Sequence, residues 1–326
     1  MRAAMRDRYG STDVVELREI DEPVPTEDRV LVRVRAASVN RADLDSLGPR
    51  PAFARAFMGL RAPRIARMGI DVAGVVETVG PAATRFRPGD AVFGDLFSYG
   101  SGAFAEALAP RERALEPIPA GMTFETAATL PHSGVLALQG LRLRDGRTIR
   151  PGDRVLIDGA SGNVGPFAVQ IAKAMGAEVT GTCRGEKLDF VASLGADHVL
   201  DYTNEDYTRG SERYDWIVDT DSHHSMLDVR RVLRPGGAYV TLGGTTRPIL
   251  AALASGALLS AATKRWMGLL LWWKPFHRPD VARLTELIAT GAVTPRIDRS
   301  FPLSGVVAAL RWVDEGHARG KVLVIP

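Results

Sequence analysis

Cysteine is nearly missing: the 326 residues include one, Cys183. No intrachain disulfide can form, and no cysteine-rich zinc site can be built. An excess of one charge is missing too. Lys and Arg number 41 against 38 Asp and Glu, a formal +3, which over this length gives no nucleic-acid-binding stripe. Long hydrophobic runs are absent. The most apolar stretch, Trp266 to Trp273, falls far short of the ~20 residues a membrane-spanning helix needs. Met1 to Arg8 lack the apolar core of a signal peptide. Repeats and low-complexity tracts are also lacking. These absences lead to the expectation of a cytoplasmic protein with no membrane span and no nucleic-acid partner.

What is present is ordinary globular composition, 45% apolar and 24% charged, in a chain long enough for two domains at roughly 150 residues each. The first third reads as β. Val30 to Ala36 alternates apolar with charged residues, the period of a half-buried strand. Asp71 to Gly80 and Phe86 to Phe93 are further strand segments bounded by Pro and Gly, which together predict a small barrel-like module. From about Thr123 the pattern becomes helical, and after Pro151-Gly152-Asp153 strands and helices alternate. Strands are predicted at Arg154–Asp158, Glu178–Thr182, His198–Asp201, Trp216–Asp219 and Ala238–Leu242. Helices are predicted at Val164–Met175, Lys187–Leu194 and Met226–Leu233, the last stopped by Pro235-Gly236-Gly237. Such alternation means a parallel sheet covered by helices. Gly320 to Ile325 reads as a strand returning to the first module.

Asp158-Gly159-Ala160-Ser161-Gly162-Asn163-Val164-Gly165 lies between an apolar strand and an Ala-rich helix. Glycines there let the backbone approach a pyrophosphate, and the helix N-terminus favours the anion. The next strand ends at Cys183-Arg184, where NAD-binding turns carry an acid for the ribose hydroxyls. Without that acid, and with Arg184 and Lys187 at hand, a 2′-phosphate is favoured, hence NADPH. Glu186 is positioned to reach a ribose hydroxyl instead, and Arg184 and Lys187 also fit a solvated helix start.

Several segments in order resemble the medium-chain dehydrogenase/reductase superfamily, in its zinc-free quinone oxidoreductase-like branch. They are Asn40 to Asp43, Gly69-Ile70-Asp71, Arg87 to Val92, Gly102 to Glu106, Ala127 to Pro131, the glycine turn, Leu194 to Asp197, and Gly316 to Val322. The resemblance implies an α/β fold: a split GroES-like β-rich catalytic domain, 1–122 and 295–326, and a Rossmann doubly wound parallel-sheet domain, 123–294. The zinc enzymes of the superfamily carry a Cys early in the chain and a Gly-His-Glu segment. Here Asn40, Asp43 and Gly69-Ile70-Asp71 stand instead, so no metal is expected and no Lewis acid is at hand.

Hydride transfer from NADPH to a quinone or an α,β-unsaturated carbonyl then becomes the expected reaction. Asn40, Asp43 and His132 are the candidate catalytic residues. For His132 two readings stay open, a proton donor near neutrality and a solvent-exposed residue at a helix start. Ser133, Gly159, Ser161, Gly162, Asn163, Val164, Gly165, Cys183, Arg184, Lys187, Tyr202, Gly243 and Lys321 are the candidate cofactor residues. The sequence departs from the family pattern at Asp45, Leu136, Asn163 and after Asp219. His223 and His224 read as loop residues rather than a metal pair. Phe53 and Phe57 suit either ordinary core or the cap of a lipophilic substrate pocket, and Trp266 to Trp273 suits the contact of a homodimer. Alternative readings are a metal-free carbonyl or alcohol oxidoreductase, and an NADPH-binding regulatory or nucleic-acid-binding protein without turnover.

Overall fold

A computed structural model describes residues 1–49, 55–221, 223–243 and 246–326. The chain divides into two compact units. One comprises Met1–Val135, Pro275–Ala282 and Ile297–Pro326, the other Leu136–Lys274 and Arg283–Arg296. Phe53 and the side chain of Phe57 lie outside the described residues.

The first unit is built on a seven-stranded sheet in the order Ile297–Pro302, Lys321–Ile325, Val30–Val39, Asp71–Val79, Ala91–Asp95, Leu115–Pro117, with the short Ala107–Leu108 also paired to Val30–Val39. Ile297–Pro302 runs parallel to Lys321–Ile325, and the remaining pairs are antiparallel. The central strand departs from its sequence pattern. Alternation predicts a half-buried strand ending near Ala36, yet Val30–Val39 is buried over most of its length, with Arg33 and Arg35 as its open positions. The reason is that its faces are packed, against the apolar core and against the helix Phe124–Thr129. Arg33 meets Glu22 and Glu77 at 2.7 and 2.6 Å.

One apolar core fills this unit, drawing Val32, Val72, Phe104, Leu115 and Val322 from different strands and loops. The helix Val306–Asp314 presents Val306, Ala309, Leu310 and Val313 to it, the spacing of one helical face. Gly69 approaches this core closely. It has φ +95°, and a Cβ there would meet the Phe104 backbone nitrogen at 2.6 Å, so glycine is required both for conformation and for space. The helix Phe124–Thr129, capped by Thr123 Oγ1 accepting from Thr126 N at 3.2 Å, packs across the strands of the sheet. The compact unit therefore continues past residue 122, to Val135.

The second unit holds a six-stranded sheet, parallel throughout, in the order His198–Asp201, Glu178–Cys183, Arg154–Asp158, Tyr214–Asp219, Leu233–Thr241, Trp266–Leu269. Chain order reverses on either side of Arg154–Asp158, which makes the end of that strand a switch point. Pro235-Gly236-Gly237 does not close the preceding helix, as its composition suggests. The helix Met226–Val232 ends earlier, and the glycines lie inside Leu233–Thr241, beside a register shift between Tyr214 and Trp216. The helix Thr246–Thr263 was not foreseen, because its small and apolar residues form no single stripe. It lies close on Trp266–Leu269, and a Cβ on Gly256 would come within 2.6 Å of Met267 O.

Phe104 is 1% exposed and fills the core beneath Gly69. Phe104→Ala is expected to destabilise the first unit by about 3–5 kcal/mol, measured as a lowered urea midpoint at unchanged slope.

Candidate functional site

Strand register assembles a polar site inside the first unit. Ser38 pairs with Asp71 across one ladder, and Asp71 with Asp95 across the next. Directly opposed residues share a face, so these three side chains form a row. Lys321, at the start of the last strand, and His132 and Ser133, at the start of the helix Pro131–Gly140, meet that row. All six, together with Asn40 and Asp43, are buried.

Asn40 is the centre of the network. Its Oδ1 accepts from Lys321 Nζ at 2.6 Å and from Ser133 Oγ at 2.9 Å. Its Nδ2 donates to Asp71 Oδ2 at 2.9 Å and to Ser38 O at 3.3 Å. Two acceptor sites and two hydrogens are all an amide has, so the Asn40 side chain is fully used within the protein. Ser38 Oγ also donates to Asp71 Oδ2, at 3.0 Å. Lys321 Nζ donates to Ser133 Oγ at 3.0 Å and lies 3.5 Å from Asp71 Oδ2. Asp43 sits in the first turn of the helix Arg41–Leu47, and its carboxylate accepts from Asn40 N at 2.9 Å. It holds the backbone that carries Asn40.

His132 is 6% exposed, which overturns the reading of a solvated residue at a helix start. Its backbone N–H donates to Asp71 Oδ1 at 3.1 Å, its Nδ1 lies 3.0 Å from Asp95 Oδ2, and Phe97 packs against the ring at 5.5 Å. Asp95 Oδ1 accepts from Phe97 N at 2.7 Å.

Burial and pairing set the charges. Desolvation pushes the Asp43 carboxyl up to about 7, helped by the nearby Asp71 and opposed by the hydrogen bond from Asn40. Burial also raises Asp71, against the pull of Lys321, and lowers the Lys321 ammonium, against the pull of Asp71. For His132 burial works against the charged ring, but the charge and hydrogen bond of Asp95 outweigh it and the pKa rises. Asp71 thus faces Lys321 and Asp95 faces His132, pairing each of these carboxyl groups with a basic group. Asp95 does not stand out in the sequence as a site residue, and Asp71 does so only through the segment where the zinc enzymes carry Gly-His-Glu. The available signal was a carboxylate at the first position of one apolar strand and the last position of another.

In the second unit the glycine turn follows the Arg154–Asp158 strand. Gly159 has φ +80°, and a Cβ on Gly165 would meet Gly159 O at 2.3 Å. At Gly162 a Cβ would meet nothing closer than 3.6 Å, so the turn is open where a phosphate would approach. Val164, at the N-cap of the helix Gly165–Ala174, makes no side-chain capping bond. The turn therefore fits a pyrophosphate. Ser161 is buried, and Asn163 and Val164 are half-buried. Gly243 lies just past the Leu233–Thr241 strand, its carbonyl accepting from Thr241 Oγ1 at 2.9 Å.

At the end of Glu178–Cys183, Arg184 Nε donates to Tyr202 OH at 2.9 Å on the surface. Cys183 is buried, its thiol pushed up to about 11 by desolvation, so no negative charge stands there. Lys187 is buried at 5% exposure, which departs from the expectation of a solvated residue beside Arg184. His223 and His224 lie on a loop, the first 3.3 Å from Asp221 and the second edge-on to Tyr207 at 4.7 Å. Among the described residues no group of three or more His, Cys, Asp and Glu side chains is placed to hold a metal ion.

Residues 26–120 match a family model described as the alcohol dehydrogenase GroES-like domain, and residues 194–324 match one described as zinc-binding dehydrogenase. A chloroplastic quinone oxidoreductase of Triphysaria versicolor is 31% identical, the alignment covering 100% of this chain and 98% of that one. An Arabidopsis thaliana protein named NADPH-dependent alkenal/one oxidoreductase is 30% identical over 100% of this chain and 80% of its own. Among solved structures, the quinone oxidoreductase of Coxiella burnetii superposes with a TM-score of 0.85 at 27% identity, covering 100% and 99% of the two chains. The GroES-like and Rossmann architecture expected from the sequence is thereby established.

The raised carboxyl of Asp43 makes a pH prediction. Its folded value of about 7 exceeds the ~3.9 of an unfolded chain. Between the two, the folded state holds a proton that the unfolded chain has released, so stability falls as pH rises through that window. Asp43→Asn keeps an acceptor for Asn40 N but cannot ionise. Its urea midpoint should fall less than the wild-type midpoint between pH 5 and pH 7.5; equal falls would contradict the assignment.

Proposed function

The chain belongs to the medium-chain dehydrogenase/reductase superfamily, in its quinone oxidoreductase-like branch, and from that premise we propose that it transfers hydride from NADPH to a quinone or an α,β-unsaturated carbonyl without a metal. The observation that carries this reading is the Lys321 ammonium, hydrogen-bonded to Asn40 and Ser133 and 3.5 Å from Asp71. Asn40 and Asp71 belong to the segments in which the zinc enzymes of the superfamily hold their ligands. Here a protein cation already balances the carboxylate and fills the donor and acceptor sites of the amide. The names of the relatives from Triphysaria and Arabidopsis support the acceptor class.

A nicotinamide, when bound, supplies the hydride. The protein's part is to hold, orient and protonate. The amides of the glycine turn receive the pyrophosphate. Arg184, with Tyr202 beside it, receives the 2′-phosphate. The Asn40–Lys321–Ser133 network orients the reacting face, with Asn40 and Asp43 as positioning residues because their hydrogen bonds are spent on the protein. His132 provides the proton. Asp95 at Nδ1 raises the pKa of the ring, which favours the protonated form that a general acid needs.

Purified protein treated with a chelator should still oxidise NADPH in the presence of a panel of quinones and enones. Loss of activity together with one stoichiometric zinc would overturn the reading. Turnover of ketones alone would favour a carbonyl reductase, and cofactor binding without turnover a binding protein. Arg184→Ala should raise the KM for NADPH about tenfold and leave that for NADH unchanged, since a charge-assisted contact is worth about 1.5–3 kcal/mol.

We also infer a symmetric dimer through the Trp-rich edge. Trp266–Leu269 is the last strand of its sheet, and among the described residues no strand pairs with its outer side. Trp266 and Trp272 partly cover one another, edge to face at 4.8 Å, while Leu271 remains 71% exposed. Leu270, at 7% exposure, belongs to the fold, so Leu271 is the residue to test. Light scattering at low micromolar concentration should report a dimer that Leu271→Asp weakens; a wild-type monomer would refute it.

A further inference from the structure

Arg6 follows the Arg2–Met5 strand, its backbone N–H bonded to Ala66 O at 2.9 Å. The residue is 4% exposed, and its Nε and Nη1 are buried without a hydrogen-bond partner. The guanidinium keeps its charge at any physiological pH and presents donors only. A buried cation left unmatched is costly. The other buried charged residues of this unit all have partners. Lys321 and Asp71 match one another, as do His132 and Asp95. Asp43 accepts from Asn40 N, Glu112 from Thr84 N and Arg85 N, and Asp280 lies 3.0 Å from His277. Arg6 is the exception.

Two ionisable side chains act on it. Burial lowers its pKa, and the groups that act in the opposite direction are Tyr9 and Asp43, the latter in the first turn after Asn40. Tyr9 donates to Gly59 O at 2.7 Å, and the Arg55 guanidinium carbon lies 5.0 Å from the Tyr9 ring centroid. Two cations thus bear on Tyr9. Among the described residues no hydrogen bond reaches Nε or Nη1 of Arg6, which leaves those donors for an incoming group.

We propose that Arg6 anchors a carboxylate carried by the acceptor, which makes the substrate class an enone or quinone bearing an acid group. A planar fork of N–H donors matches the two oxygens of a carboxylate. The unmatched cation is then a binding group, kept at a cost in stability for the ligand that completes it.

This assignment rests on the enone-reductase reading, and one experiment separates the two. NADPH oxidation is measured with trans-3-benzoylacrylic acid and with its methyl ester, which share the enone and differ in charge. Wild type should favour the acid at least tenfold in kcat/KM. Arg6→Met should remove that preference through KM, leave the ester within about threefold, and raise the melting temperature, because an orphaned charge is gone. Arg6→Lys should recover part of the preference. Equal use of acid and ester by wild type, or equal losses on both in Arg6→Met, would overturn the anchor and leave the reductase standing. If neither compound is turned over, calorimetric titration of the acid into protein with NADP⁺ decides. Binding that Arg6→Met abolishes and the ester does not show supports the anchor without the reductase; no binding ends both.

Discussion

Three carboxylates buried in one β unit, those of Asp43, Asp71 and Asp95, are the constraint to which the rest of the site answers. A carboxylate out of water must be matched or neutralised. Asp71 meets the ammonium of Lys321, Asp95 meets the imidazole of His132, and burial pushes the Asp43 carboxyl up to about 7. Each solution recruits a different part of the chain: a C-terminal strand, the start of a helix, and the first turn after Asn40. The hydrogen bonds of Asn40 join Asp43, Asp71 and Lys321, and the His132 backbone N–H joins the Asp95 pair to Asp71.

Much of this was legible beforehand, for physical reasons. The parallel sheet of the second unit announces itself by apolar strands that alternate with helices, and the glycine turn by residue types that only a close backbone approach requires. The identity of Asn40, His132 and Lys321 as site residues came from resemblance. Their mutual geometry did not, because it depends on strand register, which no local pattern states. The burial of His132 shows the difference. At the start of a helix its environment is decided by Asp95, 37 residues away in sequence, and nothing near His132 carries that information. Lys187 is a second case, a cation in a polar segment that the packing of the following helix turns inward.

The strands themselves also show where alternation misleads. Val30–Val39 carries arginines at the period of a one-sided strand, yet most of it is buried. Two-faced burial is a property of what packs on the sheet, here the apolar core and the helix Phe124–Thr129. Conversely, Thr246–Thr263 is helical without any stripe, and Gly256 lets it lie close against Met267 of the Trp266–Leu269 strand.

Lys321 reaches Asn40 across 281 residues of sequence. During synthesis the strands that carry Ser38, Asp71 and Asp95 leave the ribosome long before their ammonium partner exists, and chains are made at about 5–20 residues per second. For many seconds the nascent unit holds an acid row with no cation opposite it and a sheet with no last strand. Its carboxylates must stay hydrated, or protonated, until the final segment arrives. Closure of the polar site is therefore a late event, and a chain cut short before residue 321 is left with an open acidic edge, because the ammonium that faces Asp71 is missing.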